Sequence, residues 1–425
     1  MAAVAHVTAI HPQMPQRIMI TGSKNAGKTT YAKFLTNRIL TQHLVDGRPQ
    51  ETVFWLELDP GQPEFSPAGQ LSLVQVTQPI FGPAFTHSNL GQPAHFKTIR
   101  AHCVGAISPK DVARRYLECA ADLIATYERK RHDVGATKLI MNCPGWLIGE
   151  GRDLIEKLII DSRPTSIVFI SLETNWKAEK DYQVLVRANE NRPVIRLSRL
   201  NYMSHLRTST QQRLMQQISY FQHAGKEDSI WLSTPLTARE GHYLSWHRKR
   251  ADFLGIITAG DDLNPEFLAE CIAGTVVALC IIETTAYHAS QVRSLRHTKV
   301  EDMPYWSNRG RHPWLEVPST RCIGFAYIQE VDPERKRLKI QTPCVKLNSF
   351  KRPDGTPGLF LLRGRIDQPV WVHNQFTTWK GEFEIDYKGL PKAYGTRLEL
   401  PWMEEVRDND ALSQNWRPRR DVWRR

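Results

Sequence analysis

The sequence has no long apolar run and no pattern that marks a secreted or membrane protein. None of its segments approaches the roughly 20 apolar residues that a membrane-spanning helix needs, and we therefore expect no membrane association. The first residues, Met-Ala-Ala-Val-Ala-His, lack the charged-then-apolar pattern of a secretory signal. The 7 cysteines are scattered and include no C-x-x-C pair, which disfavours a disulfide framework and favours a reducing compartment.

The sequence also lacks internal repeats, low-complexity blocks and an Asn-Lys-x-Asp segment of the kind that reads guanine. A GTPase is therefore disfavoured, and Asn142 stands where a GTPase would carry the aspartate of its D-x-x-G motif. With 425 residues, 41% of them hydrophobic and 24% charged, the chain has the composition of a globular protein of two or three domains. Its net charge of +12 favours a polyanionic partner such as nucleic acid, an acidic protein being the alternative.

The most informative segment that is present is Gly22–Thr29, which fits the phosphate-binding pattern G-x-x-x-x-G-K-[ST]. A predicted strand precedes it and a predicted helix follows it, as the motif requires; a turn without a ligand is the disfavoured alternative. The helix N-terminus adds partial positive charge to the loop. We expect a nucleoside triphosphate here, with Lys28 reaching the β- and γ-phosphates and the Thr29 hydroxyl holding Mg²⁺. The residues predicted to contact ATP are Gly22, Ser23, Lys24, Asn25, Ala26, Gly27, Lys28, Thr29 and Thr30.

Short apolar strands alternate with amphipathic helical segments between residues 17 and about 290. This alternation predicts an α/β fold, a P-loop NTPase domain with a mostly parallel sheet and helices on both faces. The pattern becomes strand-like from Arg321 onward and predicts a smaller β-rich C-terminal domain. The predicted divisions are a short extension at 1–16, the P-loop domain at 17–285, a linker or irregular segment at 286–320, the β-rich domain at 321–400 and a basic tail at 401–425.

Three further segments carry residues whose side chains are suited to catalysis or to ligand binding. Asp59 ends a hydrophobic strand, where an acid can contact Mg²⁺ through water or take a proton from a hydroxyl, although Asp-Pro-Gly also forms simple turns. Residues 143–146 follow another strand, and Trp146 can stack on a base or pack in the core. Arg207 and Arg213 flank the start of a helix, where they either close over a triphosphate or are simply solvated.

The order of these motifs resembles the polynucleotide 5′-hydroxyl kinase family, in particular its nucleolar pre-rRNA-processing branch in fungi. The matching segments are the phosphate loop, Leu-Asp-Pro-Gly-Gln-Pro-Glu-Phe-Ser-Pro (58–67), Gly-Pro-Ala-Phe-Thr-His (82–87), Asn-Cys-Pro-Gly-Trp (142–146) and the stretch 206–221. Residues 323–332 and 363–371 also resemble that branch. Family members usually carry an N-terminal β-rich domain, whereas about 16 residues precede the first strand here, and we expect either loss of that domain or a truncated gene model.

The resemblance implies transfer of the γ-phosphate of ATP to the 5′-hydroxyl end of RNA, or of DNA, with ATP and Mg²⁺ as cofactors. Asp59 and Gln62 match the family's D-x-x-Q motif, which implies that Asp59 is the base, that Asp59 and Thr29 contact the metal and that Gln62 contacts the substrate. The residues that match the family's substrate clasp are Cys143, Pro144, Gly145 and Trp146, and those that match its catalytic positions, beside Asp59, are Lys28, Arg207 and Arg213.

The resemblance further implies pre-rRNA processing at the second internal transcribed spacer, in a heteromeric complex with an rRNA-processing endonuclease, and hence a location in the nucleus and nucleolus. An alternative from a different class is a non-catalytic ATP-binding scaffold that orders such a nuclease complex. The two hypotheses differ at Asp59, because a scaffold predicts that Asp59→Asn leaves both assembly and processing intact.

Overall fold

The computed structural model describes most of the chain up to residue 372 and two short strands beyond it. The described residues are 16–47, 51–87, 95–133, 138–145, 151–171, 176–190, 192–198, 207–223, 231–232, 234–259, 263–283, 295–306, 316–343, 358–367, 369, 372, 383–385 and 391–393. Met1–Val372 belong to one compact unit and His373–Arg425 to a second. Within the described ranges, no helix combines the length and the apolar character that crossing a bilayer requires.

A seven-stranded sheet forms the centre of the first part of the chain. Its strands are β1 (Gln16–Gly22), β2 (Val53–Glu57), β3 (Gln70–Val76), β4 (Phe96–Cys103), β5 (Lys138–Asn142), β6 (Ser166–Ser171) and β7 (Val194–Ser198). They lie in the order β4-β3-β2-β5-β1-β6-β7, and neighbours are parallel except at β3, which is antiparallel to β2 and β4. Strands β1, β2, β5 and β6 are buried on both faces, which explains why they are mostly apolar runs.

The helices are α1 (Lys28–Thr41), α2 (His43–Asp46), α3 (Ala113–Asp133), α4 (Arg152–Ser162), α5 (Trp176–Ala188), α6 (Ser209–Gln222) and α7 (Leu268–Ile272). Successive side chains of a strand point to opposite faces of the sheet. Ile18 of β1 accordingly packs with Leu35 of α1 in one core cluster, whereas Met19 packs with Leu123 of α3 in another. The predicted α/β fold with helices on both faces of a mostly parallel sheet is confirmed.

A second, mixed sheet follows along the chain. Its strands are β8 (His242–Ser245), β9 (Ile256–Thr258), β10 (Val276–Ile282), β11 (Leu295–His297), β12 (Pro304–Trp306), β13 (Thr320–Asp332), β14 (Arg337–Gln341) and β15 (Leu359–Arg363). Their order is β11-β12-β9-β15-β10-β13-β14-β8, with β9 parallel to β12 and β15 and the other pairs antiparallel.

The second sheet crosses the domain divisions that we predicted. Strands β8, β9 and β10 precede residue 286, and β11 and β12 lie within 286–320, where we expected a linker or irregular segment. In the second compact unit, β16 (Phe383–Ile385) and β17 (Pro391–Ala393) form an antiparallel pair. The domain boundaries themselves stay a prediction.

The two large sheets are joined beside β4 and α6. Arg100 of β4 donates to the Glu283 carboxylate at 2.9 Å and to the Pro318 carbonyl at 2.8 Å. The Tyr220 hydroxyl of α6 accepts a hydrogen bond from the Phe325 N–H of β13 at 2.8 Å. The C-terminal part of α6 is therefore held by the second sheet.

Candidate active site

The phosphate loop forms the turn between β1 and α1. Gly22 has φ 143°, and a Cβ atom there would lie 1.9 Å from the carbonyl oxygen of Ile170, so a side chain cannot be accommodated without a backbone shift. Asn25 and Gly27 also have positive φ, at 60° and 91°. Gly27 is the N-cap of α1, and no side chain caps the helix there. A loop of this shape leading into a helix N-terminus is a geometry that binds phosphate groups.

Lys28 is the first residue of α1 and its side chain is buried against the loop. Its Nζ donates to the carbonyl oxygen of Ser23 at 2.9 Å. Burial lowers the pKa of Lys28, and the charge of Asp59 acts in the opposite direction. An ammonium group has three donors, so Lys28 can hold the loop and still donate to phosphate oxygens.

A chain of polar side chains connects α1 to the ends of β5 and β2. Thr29 Oγ1 lies 3.5 Å from Oδ1 and 3.3 Å from Nδ2 of Asn142. Asn142 Nδ2 also donates to Glu57 Oε1 at 2.9 Å. Burial and the charge of Asp59 raise the pKa of the Glu57 carboxyl group to about 8, against the opposing effect of the N–H groups that donate to it. The predicted metal residue Thr29 is thus linked to the interior of the sheet.

Asp59 follows β2 and shapes the loop after it. Its Oδ1 accepts hydrogen bonds from the N–H groups of Gly61, at 2.9 Å, and Gln62, at 3.2 Å, while its own N–H donates to Glu57 Oε1 at 3.0 Å. Gly61 is tightly packed, because a Cβ atom there would lie 2.7 Å from the Ile107 carbonyl oxygen. One carboxylate oxygen of Asp59 therefore fixes the turn, and in the described part of the chain Oδ2 makes no hydrogen bond.

The segment after β5 packs directly against the phosphate loop. A Cβ atom on Gly145 would lie 2.7 Å from Lys24 Cα and Lys24 N, so the two backbones touch. The Cys143 side chain is fully buried in a core cluster, where burial raises the pKa of its thiol far above the ordinary value, against the opposing effect of the nearby Lys28 charge. Any contact of Cys143 with a substrate would have to come from its backbone. Trp146, the predicted stacking residue, lies outside the described residues, and Pro144 is buried beside Gly145.

Helix α6 lies against the Asp59 loop. A capping box begins it, in which Thr208 accepts from the Gln211 N–H and the Gln211 side chain accepts from the Thr208 N–H. Gln62 Nε2 then donates to Gln212 Oε1 at 2.7 Å, and Gln216 Nε2 donates to the carbonyl oxygen of the residue after Gln62 at 2.7 Å. The D-x-x-Q loop and the helix whose start Arg207 and Arg213 flank are therefore in direct contact.

The two arginines predicted to be catalytic, Arg207 and Arg213, have different environments. Arg213 forms an ion pair with Asp367 and also donates to Thr210 Oγ1 at 3.1 Å. Arg207 is exposed just before α6. The structure thus brings Arg213 to a carboxylate of the segment after β15, and its role toward a phosphate group stays a prediction.

Glu64 was missed by the sequence analysis although it lies in the same loop as Asp59. It is buried, and its Oε1 contacts Lys33 Nζ of α1 at 2.9 Å and His87 Nε2 at 2.8 Å. Lys33 Nζ also donates to the Gly82 carbonyl at 2.9 Å. The segment 82–87 is therefore connected to the phosphate-loop helix. The sequence signal for this connection was that residues 82–87 are among the segments that match the family's motif order.

Glu57 and Asn142 were also missed as site residues. Glu57 could have been found from the sequence, because in a strand a residue two positions before Asp59 lies on the same face of the sheet as Asp59. Asn142 ends the strand beside it, and its contact with Glu57 depends on the pairing of β2 with β5.

The residues present fit a Mg²⁺–nucleotide complex. The phosphate loop supplies the curved backbone, and Thr29, Asp59 and Asn142 supply hydroxyl, carboxylate and amide oxygens, the hard ligands that Mg²⁺ prefers. Among the described residues, no group of three His, Cys, Asp or Glu side chains forms a metal cage. Mg²⁺ fits such a site because it usually binds through one or two protein groups, substrate phosphates and water.

The fold and the loop together define a P-loop nucleotide-binding protein. Residues 22–223 match the family model described as the P-loop of the mRNA cleavage and polyadenylation factor CLP1. The polynucleotide 5′-hydroxyl-kinase grc3 of Aspergillus oryzae is 27% identical over 84% of this chain and 49% of its own length. The polynucleotide 5′-hydroxyl-kinase GRC3 of Gibberella zeae is 29% identical over 96% of this chain and 60% of its own. The chain is therefore similar to fungal proteins named polynucleotide 5′-hydroxyl kinase Grc3, and the resemblance that its motifs predicted is confirmed.

Solved structures agree on the fold. The structure of wild-type Clp1p with residues 454–563 of Pcf11p matches with a TM-score of 0.58 at 15% identity, over 86% of this chain and 78% of that one. A second Clp1p–Pcf11p structure, which addresses ATP loss in a point mutant, matches with a TM-score of 0.59 at 15% identity, over 85% and 77%. The chain spans about half to three-fifths of the length of the curated relatives named above.

Proposed function

We propose that this chain is an ATP- and Mg²⁺-dependent polynucleotide 5′-hydroxyl kinase. The observation that carries the proposal is the connection between the phosphate loop and Asp59, which runs from Thr29 through Asn142 and Glu57 to the Asp59 backbone. A carboxylate is thereby held beside a triphosphate site, where a hydroxyl acceptor needs a base. The kinase names of the relatives support the same activity.

In the proposed reaction, the 5′-hydroxyl oxygen attacks the γ-phosphorus of ATP. A new O–P bond forms while the bond to the β–γ bridging oxygen breaks and ADP leaves. Asp59 takes the hydroxyl proton, and Lys28 neutralises charge on the phosphates. Mg²⁺, when bound, neutralises further charge at the phosphate oxygens. Gln62 orients the acceptor, so that the protein acts mainly by positioning and charge stabilisation.

The acceptor that we propose is the 5′-hydroxyl end of RNA. The net charge of +12 supports a polyanionic substrate. We further propose that the reaction serves pre-rRNA processing at the second internal transcribed spacer, in a nucleolar complex with an rRNA-processing endonuclease. The motif resemblance supports this role, and the Clp1p structures, which contain a partner protein, support a heteromeric assembly.

The test is transfer of labelled phosphate from γ-labelled ATP to a 5′-hydroxyl oligoribonucleotide by the full chain, alone and with its partner endonuclease. Asp59→Asn is expected to lower the rate of transfer by about 100-fold or more, the usual size of a general-base contribution, with ATP still bound. Lys28→Ala is expected to abolish transfer. Lys249→Ala, at an exposed position after β8, serves as the matched control.

A 5′-phosphorylated oligonucleotide controls for transfer to other hydroxyl groups, and the matching DNA oligonucleotide decides between RNA and DNA as acceptor. Folded protein that binds ATP but transfers no phosphate to either acceptor, even with its partner, would refute the kinase and favour the ATP-binding scaffold. Unchanged transfer in Asp59→Asn would remove Asp59 from the mechanism.

A further inference from the structure

Arg365 lies in a short segment that connects the second sheet to the neighbourhood of the candidate active site. It follows the end of β15 by two residues and forms an isolated parallel bridge with Ala106, which lies just after β4. Its N–H donates to the Gly105 carbonyl oxygen at 2.8 Å. The Arg365 side chain is exposed. Because exposed arginines are common on protein surfaces, the position of this one decides whether it has a role.

Two close contacts between backbones fix where Arg365 stands relative to the loop of the predicted base. A Cβ atom on Gly364 would lie 2.5 Å from the Cα atom and from the carbonyl oxygen of Gly105, so these two backbones touch. A Cβ atom on Gly61 would lie 2.7 Å from the Ile107 carbonyl oxygen, so the same segment after β4 also touches the loop after β2. The path from Arg365 to that loop therefore consists of one strand spacing of about 4.8 Å, one residue step of about 3.8 Å and one van der Waals contact.

The direction of the Arg365 side chain follows from its neighbours along the segment. Ile366 faces the interior, where it packs with the core cluster that joins α6 to the second sheet, and a Cβ atom on Gly69 would lie 2.8 Å from its Cγ2 atom. Asp367 instead forms its ion pair with Arg213 of α6. Because side chains of an extended segment alternate between its two sides, Arg365 lies on the side of Asp367, toward α6.

This side of the segment faces the proposed acceptor. In the proposed reaction the 5′-hydroxyl oxygen lies at Asp59, and Gln62, which orients the acceptor, contacts Gln212 of α6 at 2.7 Å. The charged groups of the acceptor nearest to its 5′-hydroxyl are the phosphates that link its first nucleosides. A guanidinium group suits these phosphates, because it stays protonated and can donate two parallel hydrogen bonds to phosphate oxygens.

We infer that Arg365 binds one of the first two internucleotide phosphates of the acceptor strand, so that the second sheet supplies part of the substrate site. The role of Arg365 rests on the proposed function, because it requires an acceptor whose 5′-hydroxyl lies at Asp59. It does not require phosphate transfer, since binding of the acceptor can be measured with an ATP analogue that cannot be hydrolysed.

The first experiment measures, by fluorescence anisotropy, the binding of a labelled 5′-hydroxyl oligoribonucleotide to the full chain with Mg²⁺ and the ATP analogue. Arg365→Ala is expected to weaken acceptor binding about 10-fold, the scale of one hydrogen-bonded contact to a charged group. The slope of log affinity against log salt is expected to become shallower by about one unit. The affinity for the ATP analogue is expected to stay within about twofold of the wild type, because the lost contact is with the acceptor phosphates.

Arg335→Ala is the matched control. Arg335 is an exposed arginine in the turn between β13 and β14, so its substitution removes the same charge from another part of the second sheet. Acceptor binding is expected to stay within about twofold of the wild type, since a charge away from the strand adds little at physiological salt.

The second experiment locates the phosphate. A single neutral methylphosphonate linkage is placed in turn at the first, second, third and fourth positions from the 5′ end. At the linkage that Arg365 contacts, the neutral linkage and Arg365→Ala are expected not to add, because each removes the same interaction, whereas at the other linkages the two losses add. Arg365→Lys keeps the charge without the planar fork and is expected to lose only about threefold.

Additive losses at both the first and the second linkage would overturn the assignment of Arg365 to the acceptor phosphates. Unchanged acceptor binding in Arg365→Ala would do so too, as would a wild-type chain that binds no 5′-hydroxyl oligonucleotide. An equal loss of affinity for the ATP analogue would assign Arg365 to the nucleotide or to the general structure instead. Non-additivity at the first or second linkage in a chain that transfers no phosphate would refute the proposed kinase and leave the role of Arg365 supported.

Discussion

Arg213 of α6 and Asp367, just after β15, form a two-point ion pair in which Nε and Nη2 of the guanidinium donate to the two carboxylate oxygens. The side chains are 11% and 23% exposed. Gln217 Nε2 adds a hydrogen bond to the Asp367 carbonyl at 3.3 Å. The helix that contacts the Asp59 loop is thus anchored to the segment that follows the second sheet.

We predict that Arg213 and Asp367 are energetically coupled. Asp367→Ala leaves a partly buried guanidinium without its partner, which should lower the free energy of unfolding by about 1–3 kcal/mol. Arg213→Ala should cost a similar amount, and the double variant should cost clearly less than the sum, with a coupling of about 1–2 kcal/mol. Urea unfolding of the four proteins measures this, and strictly additive losses would contradict it.

Arg213 is also expected to act on the transferred phosphoryl group. Arg213→Ala should lower kcat of transfer by roughly 100-fold, the scale of removing one charge-stabilising donor, and change ATP affinity much less. Asp367→Asn is the control, because it loosens the anchor but keeps the guanidinium. If Arg213 only anchors α6, the two variants will lower kcat equally.

The parts of the site that follow from short stretches of sequence could be predicted. The phosphate loop, Asp59 and the contact between the Gln62 loop and α6 lie in motifs whose local pattern is strong. Glu57 and Asn142 depend on the pairing of β2 with β5, which sequence spacing does not show. The partnership of Arg213 with Asp367 joins residues 154 positions apart, so no local pattern could indicate it.

The fold shows the same division. The parallel strands are short apolar runs of the kind that the sequence pattern predicts, whereas β3 and β4 mix polar and apolar residues. In β3, Gln70 and Ser72 alternate with apolar residues, a pattern typical of a half-exposed strand, yet both side chains are buried. Burial of these two polar side chains is set by the folded structure and has no local signature in the sequence.

We predict that Gly145→Ala impairs nucleotide binding. The added methyl group would lie 2.7 Å from the backbone of Lys24 and 3.1 Å from Lys28 Nζ, and a contact below 3.0 Å with backbone forces the phosphate loop to move. The affinity for ATP should fall by about 10-fold, equivalent to about 1.4 kcal/mol. Titration with a fluorescent nucleotide measures the loss.

Gly47→Ala is the matched control for Gly145→Ala. Gly47 has φ +64°, and a Cβ atom there would meet nothing within 4 Å. The substitution should cost stability of about 1 kcal/mol through its backbone conformation without changing nucleotide affinity. If Gly145→Ala and the wild type bind ATP with equal affinity, the segment after β5 can shift its backbone at little cost. Gly145 would then have no part in nucleotide binding.

The pair His102 and Asp122 should make stability depend on pH. His102 Nε2 lies 2.8 Å from Asp122 Oδ2, and burial lowers the pKa of His102, as do the nearby Arg100 and Arg115 charges, although Asp122 raises it. Because the folded-state pKa lies below the unfolded value of about 6.5, the unfolded chain binds more protons in between. The stability that neutral His102 contributes is therefore present above about pH 6.5 and is lost as the pH falls through the folded pKa.

Urea unfolding at pH 7.5 and pH 5.5 tests this, with His102→Gln as the comparison. The wild type should lose more stability than the variant between the two pH values, by at most about 1.4 kcal/mol per pH unit for one group. His223 and His297 have pKa values shifted in the same direction and are present in both proteins, so the difference isolates His102. Asp122 has a lowered pKa and titrates below this window. An equal or larger loss in His102→Gln would mean that His102 does not control the pH dependence.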